Sequence, residues 1–213
     1  MSPDRSAHSQ PQSRQKRVGD ALRRETRIRI LDAAEAEFTA RGYAGTTVTR
    51  LAATAGVSVQ TLYLAWGSKR ELLRGYMESV LAGDAASPAD AASRFTAITP
   101  AERLSELANL VAEIAGRAAT GWSLYRDAAA VDAEIAGDWN ELQLLRHRLV
   151  AQIFEGIPPN AFAEGLSPAE AIDTAWVIVS PESYDLLVNR RGFSLDRFRD
   201  WMQSTLTSGL LRH

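Results

Sequence analysis

Two short apolar-patterned runs separated by a glycine, within Thr47–Trp66 (TVTRLAATAGVSVQTLYLAW), constrain this chain more than any other stretch. In the first, Val48, Leu51 and Ala52 fall on one face at helical spacing, and Thr47 stands where a side-chain oxygen can cap the helix. Gly56 interrupts the pattern, since a glycine just past a helix takes the left-handed conformation that other residues resist. Ser58 then caps a second run in which Val59, Leu62 and Trp66 point inward. The connection is about three to four residues long, the length that joins the helices of a DNA-binding helix-turn-helix. Gln60, Thr61, Tyr63 and Leu64 are left outside, carrying an amide, hydroxyls and an aliphatic group suited to base edges, phosphates and thymine methyls.

The neighbouring segments extend the unit. Arg24 to Arg41 carries Ile28, Leu31, Ala34, Ala36 and Phe38 at spacings near three and four, which predicts an amphipathic helix stopped by Gly42, with Tyr43 under the turn. After Gly67, Ser68-Lys69-Arg70-Glu71 fits a capping box and predicts a helix through Leu81 that links two halves of the chain. Residues 1–22 are rich in Ser, Gln, Pro and Arg without an apolar period, so they are expected to form a disordered basic arm. Arg14, Lys16, Arg17, Arg23 and Arg24 would let it follow a DNA backbone or enter a minor groove.

Charge separates the halves. Residues 1–74 hold 13 Lys/Arg against 7 Asp/Glu, whereas residues 75–213 hold 11 against 19, so the net charge of -2 conceals a basic half that coincides with the helix-turn-helix. There is no cysteine, which removes disulfides, iron-sulfur clusters and thiol redox chemistry. His8, His147 and His213 lie far apart in sequence, so no metal site is expected. No apolar run reaches the length of a membrane span, and no signal core opens the chain, so a cytoplasmic location is expected. G-x-S-x-G, P-loop, G-x-G-x-x-G and H-E-x-x-H motifs are missing; neither an enzyme nor a cofactor is expected.

Beyond Gly83–Pro100, which reads as a loop, all periodicity is helical. Leu104, Leu107, Leu110, Val111, Ile114 and Ala118 form a stripe closed by Gly121, and a short segment from Trp122 to Val131 follows. Ile135 to Ile153 marks a long helix ended by Pro158-Pro159. Ser167-Pro168-Ala169-Glu170 opens another, Ser180 caps a fresh one after it, and Ser194 starts the last, with Phe198, Trp201, Met202 and Leu206 on one stripe. The fold class is therefore all-α: an arm over 1–22, a three-helix DNA-binding domain over 23–84 and a second helical domain over 85–213. Trp122, Tyr125, Arg126, Trp139, Asn140, Gln143 and Trp176 are candidates to line a ligand pocket in the second domain.

The N-terminal motifs resemble the DNA-binding domain of the tetracycline-repressor (TetR) family. The residues concerned are Arg41-Gly42-Tyr43, Thr46-Thr47-Val48, Ala55-Gly56-Val57-Ser58, Thr61-Leu62-Tyr63 and Ser68-Lys69-Arg70-Glu71-Leu72-Leu73. Trp66 replaces a commoner Phe, and Gln60 a commoner small residue. The end of the chain is similar to actinobacterial-type members of that family at Trp176, Ser180-Pro181-Glu182, Tyr184, Leu186-Leu187-Val188 and Gly192-Phe193-Ser194. The resemblance implies a homodimeric transcriptional regulator, a repressor of a palindromic double-stranded operator, released by a small-molecule effector. It implies phosphate contacts from Thr47, Arg50, Tyr63 and Lys69, beside a helix start at Ser58. Base reading would fall to Gln60, Thr61 and Leu64. The terminal helices would pair across a two-fold axis, through Trp176, Phe198, Trp201, Met202 and Leu206. The rival expectations are an architectural DNA binder without ligand control and a ligand-binding protein that has lost DNA binding.

Overall fold

The computed structural model describes residues 14–82, 94–96 and 98–212. Among these there is no strand, and the described residues form nine α-helices with short irregular connections. The first four are α1 (Arg14–Gly45), α2 (Val48–Thr54), α3 (Val59–Trp66) and α4 (Lys69–Ala82).

Helix α1 begins ten residues before the expected Arg24, so the assignment of disorder to 14–22 is corrected; residues 1–13 lie outside the described part. Arg, Gln, Lys, Ala and Leu are good helix formers even without an apolar face, and the Arg23–Asp20 pair at 2.9 Å supports that surface. The buried face of α1 is Ile30, Ala33, Ala34 and Phe38. Ile28, expected on that face, is half exposed, because two residues before Ile30 is about 200° around a helix of 3.6 residues per turn. Gly42 breaks the helix with φ 68°, and the buried Thr46 hydroxyl donates to Gly42 O at 2.8 Å, closing the turn into α2.

Five helices follow: α5 (Pro100–Ala129), α6 (Ala133–Phe154), α7 (Pro168–Ile178), α8 (Pro181–Tyr184), which continues as a π-helical turn over Asp185–Arg190, and α9 (Leu195–Leu210). Capping boxes start α5 at Thr99/Glu102 and α7 at Ser167/Glu170, and Asp132 caps α6. Gly121 does not end α5, contrary to expectation. A Cβ there would meet Met77 Sδ at 3.1 Å and Val80 Cγ2 at 3.2 Å, so the glycine lets α4 lie close against α5. Arg117 of α5 donates to Val80 O at 3.0 Å and Leu81 O at 2.9 Å, satisfying carbonyls at the end of α4.

Two buried clusters result. One runs from Ile30, Phe38 and Leu62 through Leu72, Tyr76 and Met77 of α4 to Trp122, Tyr125 and Ile135, so the unit formed by α1–α4 shares its core with α5 and α6. The other joins Leu104, Leu107, Val150 and Phe154 to Phe198, Met202 and Leu206 of α9, and an antiparallel bridge between Phe162 and Leu211 closes it. The expected dimer stripe is corrected by this packing. Phe198, Met202 and Leu206 have no exposed surface in a single chain, and half-buried Trp201 stacks on Phe198 at 5.9 Å. Helix α9 spends its apolar face on α5 and α7, leaving none of these three for a partner.

Candidate functional site

The Thr47 hydroxyl accepts from Arg50 N–H at 3.2 Å, and the Ser58 hydroxyl accepts from Thr61 N–H at 3.0 Å. Between them Gly56 turns the chain at φ 64°. Thr61 also pairs its hydroxyl with that of Ser58 at 2.8 Å, so it completes the cap and has less freedom for a base than expected. On α3, Leu62 is buried whereas Gln60, Tyr63 and Leu64 face out. Leu64 is 81% exposed, and an aliphatic side chain so far from any neighbour serves no packing role in this chain.

The far end of α3 is fastened by Trp66. The Arg27 guanidinium lies 3.7 Å from its ring centroid and donates to Ala65 O, while Gly75 of α4 leaves room for the benzo edge of the ring. Arg50 is exposed and loosely held, 3.7 Å from a Glu37 carboxylate that also accepts from Thr54 and Arg41. Those partners, Thr54 first, hold the Glu37 pKa below the usual carboxylate range. Lys69 is more committed than expected. Its ammonium donates to Tyr43 O at 2.9 Å and Thr46 O at 3.0 Å and sits 4.0 Å over the Tyr43 ring, leaving one N–H for a phosphate.

The helix that leaves this unit is clasped to the second domain at once. Arg70 Nε and Nη2 bind the two Asp138 oxygens at 2.7 and 2.6 Å, and Nη1 reaches Glu134 at 3.1 Å. Tyr125 adds its hydroxyl to Asp138 at 3.3 Å and stacks on Trp139 at 6.2 Å. The guanidinium holds the Asp138 carboxyl below its ordinary pKa. A carboxylate so depressed adds stability above its unfolded value of about 4, and loses it as pH falls through the lower folded value. Asp138→Ala is expected to lower the melting temperature at pH 7 and to erase that part of the acid dependence. A melting curve unchanged from pH 7 to pH 3 relative to the parent would show that the clasp carries no weight.

Beside the clasp, α5, α6 and the end of α4 enclose a cavity of about 300 Å³. Its walls are Val111 and Ile114, Trp139, Leu142 and Leu149, with Leu81 at the α4 end. Of the expected pocket residues, Trp122, Trp139 and Gln143 line it. Tyr125 belongs to the adjacent cleft with Asp138 and Arg74. Asn140 and Trp176 line an outer groove with Leu144 and His147, and Arg126 turns away toward Asp127 and Asp185. Arg146 was missed. It occupies a place in the stripe Leu142, Arg146, Leu149, Ile153, and a charge at an apolar position was the available signal.

Among the described residues no helix is long and apolar enough to cross a membrane. Residues 30–76 match the family model described as bacterial regulatory proteins, tetR family. No curated protein matches the chain in sequence. Solved structures share the fold. NalD of Pseudomonas aeruginosa, the secondary repressor of the MexAB-OprM multidrug efflux pump, is 19% identical over 89% of this chain and 97% of its own, with a TM-score of 0.67. A TetR-like transcriptional regulator from Rhodococcus sp. RHA1 is 22% identical over 89% and 96%, with a TM-score of 0.62. The ketosteroid transcriptional regulator KstR2 of Mycobacterium tuberculosis is 22% identical over 88% and 95%, with a TM-score of 0.51. The chain thus carries, over residues 30–76, the helix-turn-helix domain of the bacterial tetR-family regulatory proteins, set within a whole-chain fold like that of known regulators.

Proposed function

We propose that the chain is a sequence-specific DNA-binding transcriptional regulator, a dimeric repressor released from a palindromic operator when a small molecule enters the α5/α6 cavity. The observation that carries this reading is the continuous link between exposed reader and cavity. Gln60, Tyr63 and Leu64 stand out on a helix fixed at both ends, and α4 behind it is bonded through Arg70 and Asp138 to the helix that forms a cavity wall. An occupant that fits only one position of α6 would bias α4, and with it DNA affinity, by its differential binding to the two positions. That NalD, of similar fold, is a repressor supports repression as the sign.

The surface for a second copy is moved from the α9 stripe to the α6/α7 groove. Leu144, 60% exposed, lines the groove with His147 and Trp176, and Val177, next to Trp176 in sequence, is 58% exposed. A two-fold pair reading successive major grooves needs its α3 helices about 34–36 Å apart.

Selecting bound sites from a random DNA pool tests the whole reading. A palindrome with helical-turn spacing supports it, whereas strong salt dependence without sequence preference would mark an architectural binder. On the selected site, Gln60→Ala is expected to change preference at one base pair by about 1–3 kcal/mol, while Arg50→Ala weakens all sequences alike. Gel shifts against a set of single-base variants separate the two, and identical profiles would sink the division between base and phosphate contacts.

A further inference from the structure

The cavity is apolar along its length and charged at one place. Gln143 and Arg146 are the polar side chains among its walls, one helical turn apart on α6. The Arg146 guanidinium is anchored from behind. Its Nε donates to Gln143 Oε1 at 3.0 Å and its Nη1 to the Trp176 and Val179 carbonyls at 2.9 and 3.4 Å, and its Cζ lies 4.9 Å from the Trp176 ring centroid. Those bonds leave the Nη2 N–H groups without an acceptor among the described residues, and Arg146 enters none of the ion pairs found there. Burial pulls its pKa down to about 10, so the group is still a cation at neutral pH.

A half-buried cation without a carboxylate is costly unless something supplies the charge. Most other arginines bonded within the second domain meet carboxylates: Arg94 pairs with Glu106 and Glu113, Arg190 with Asp185, and Arg199 with Asp196 and Asp200. Arg146 is preoriented by carbonyls instead, with its free edge left for an anion. An acidic group that bears on it, Glu182, accepts from Gln143 Nε2 at 3.3 Å and opposes a second negative charge.

We propose that the cavity binds an amphipathic monoanion, an aliphatic or aromatic body along the α5/α6 walls with a carboxylate head on Arg146 and Gln143. This rests on the reading of the cavity as the effector site, and it names the class of effector. The apolar walls set affinity for the body through buried area, and the free Nη2 N–H groups of Arg146, beside the Gln143 amide, select an anionic oxygen head by charge-assisted hydrogen bonds. A neutral head would leave the cation unpaired, and a dianion would meet Glu182.

The test uses the full chain and three probes with one body and different heads: decanoate, 1-decanol and decyl phosphate at pH 8. Trp122 and Trp139 in the walls report binding by fluorescence. Decanoate is expected to bind at least tenfold more tightly than either other probe. Arg146→Met should erase the preference for decanoate over decanol, and Arg146→Lys should keep most of it. Circular dichroism checks that both variants are folded. Val111→Trp, which fills the cavity, should abolish binding of all three. Equal binding of acid and alcohol, no binding by any probe, or a preference that survives Arg146→Met would each overturn the assignment. Repeating the titrations on the operator complex separates the two readings. Decanoate that binds without changing operator affinity upholds the ligand class and sinks the switch; release by decanol but not decanoate does the reverse.

Discussion

Gly75→Ala is expected to destabilise the chain and to cost at least tenfold in operator affinity, although the same change in an ordinary helix would stabilise it. A glycine in a helix interior is about 0.8–1 kcal/mol worse than alanine, so propensity alone favours the substitution. Space opposes it. A Cβ at position 75 would lie 2.0 Å from Trp66 Cζ3 and 2.5 Å from Cη2, distances that cannot exist, and the ring is also held by the Arg27 guanidinium 3.7 Å from its centroid. Overpacking of this kind costs about 1–3 kcal/mol and sometimes more, which outweighs the helical gain. The ring that must move anchors the end of α3, so displacement reaches Tyr63 and Leu64 directly. Urea denaturation and gel shifts on the variant measure both effects. Trp66→Phe in the Gly75→Ala background should restore part of each, since a smaller ring makes room. A variant as stable and as DNA-competent as its parent would mean that the indole has space not apparent in the packing.

The second large effect is expected from Phe198→Ala, a loss of about 3–5 kcal/mol in unfolding free energy. Phe198 has no exposed surface, and its ring meets Tyr184 edge-on at 5.5 Å and Trp201 at 5.9 Å. Deleting it leaves a void between α9 and α5 that rigid helices cannot close. The double change Leu144→Glu/Val177→Glu acts on exposed side chains, so it should leave denaturation nearly unchanged while abolishing self-association in sedimentation. The reverse pattern, with Phe198→Ala dissociating a still-stable chain, would return the dimer face to α9.

These contrasts show what a sequence carries and what it does not. The helix-turn-helix was legible because its determinants are local. Thr47 and Ser58 cap their own helices, and Gly56 takes a conformation that its neighbours require. Caps also marked the starts of α7, α8 and α9. What failed was assignment of partners. The stripe of Phe198, Met202 and Leu206 states that one face of α9 is buried, but the same spacing serves a chain's own core and a second copy. Val111 and Ile114 read as core when they face a cavity, because an aliphatic wall has no chemical mark. Gly121 read as a stop, since a glycine that ends a helix and one that admits a neighbouring helix are alike in a single sequence. The Arg70–Asp138 clasp spans 68 residues, a separation no local pattern reports.

Helix α4 is bonded at both ends to the second domain, by Arg70 to Asp138 at its first turn and by Arg117 to the Val80 and Leu81 carbonyls at its last. A rod pinned twice along its length cannot slide along its own axis, because one helical turn of travel, about 5.4 Å, would tear both attachments. It can still swing with whatever carries the pins. Any signal crossing this molecule is therefore carried by α4 swinging with its pins, Asp138 of α6 at one end and Arg117 of α5 at the other, rather than by sliding along its axis.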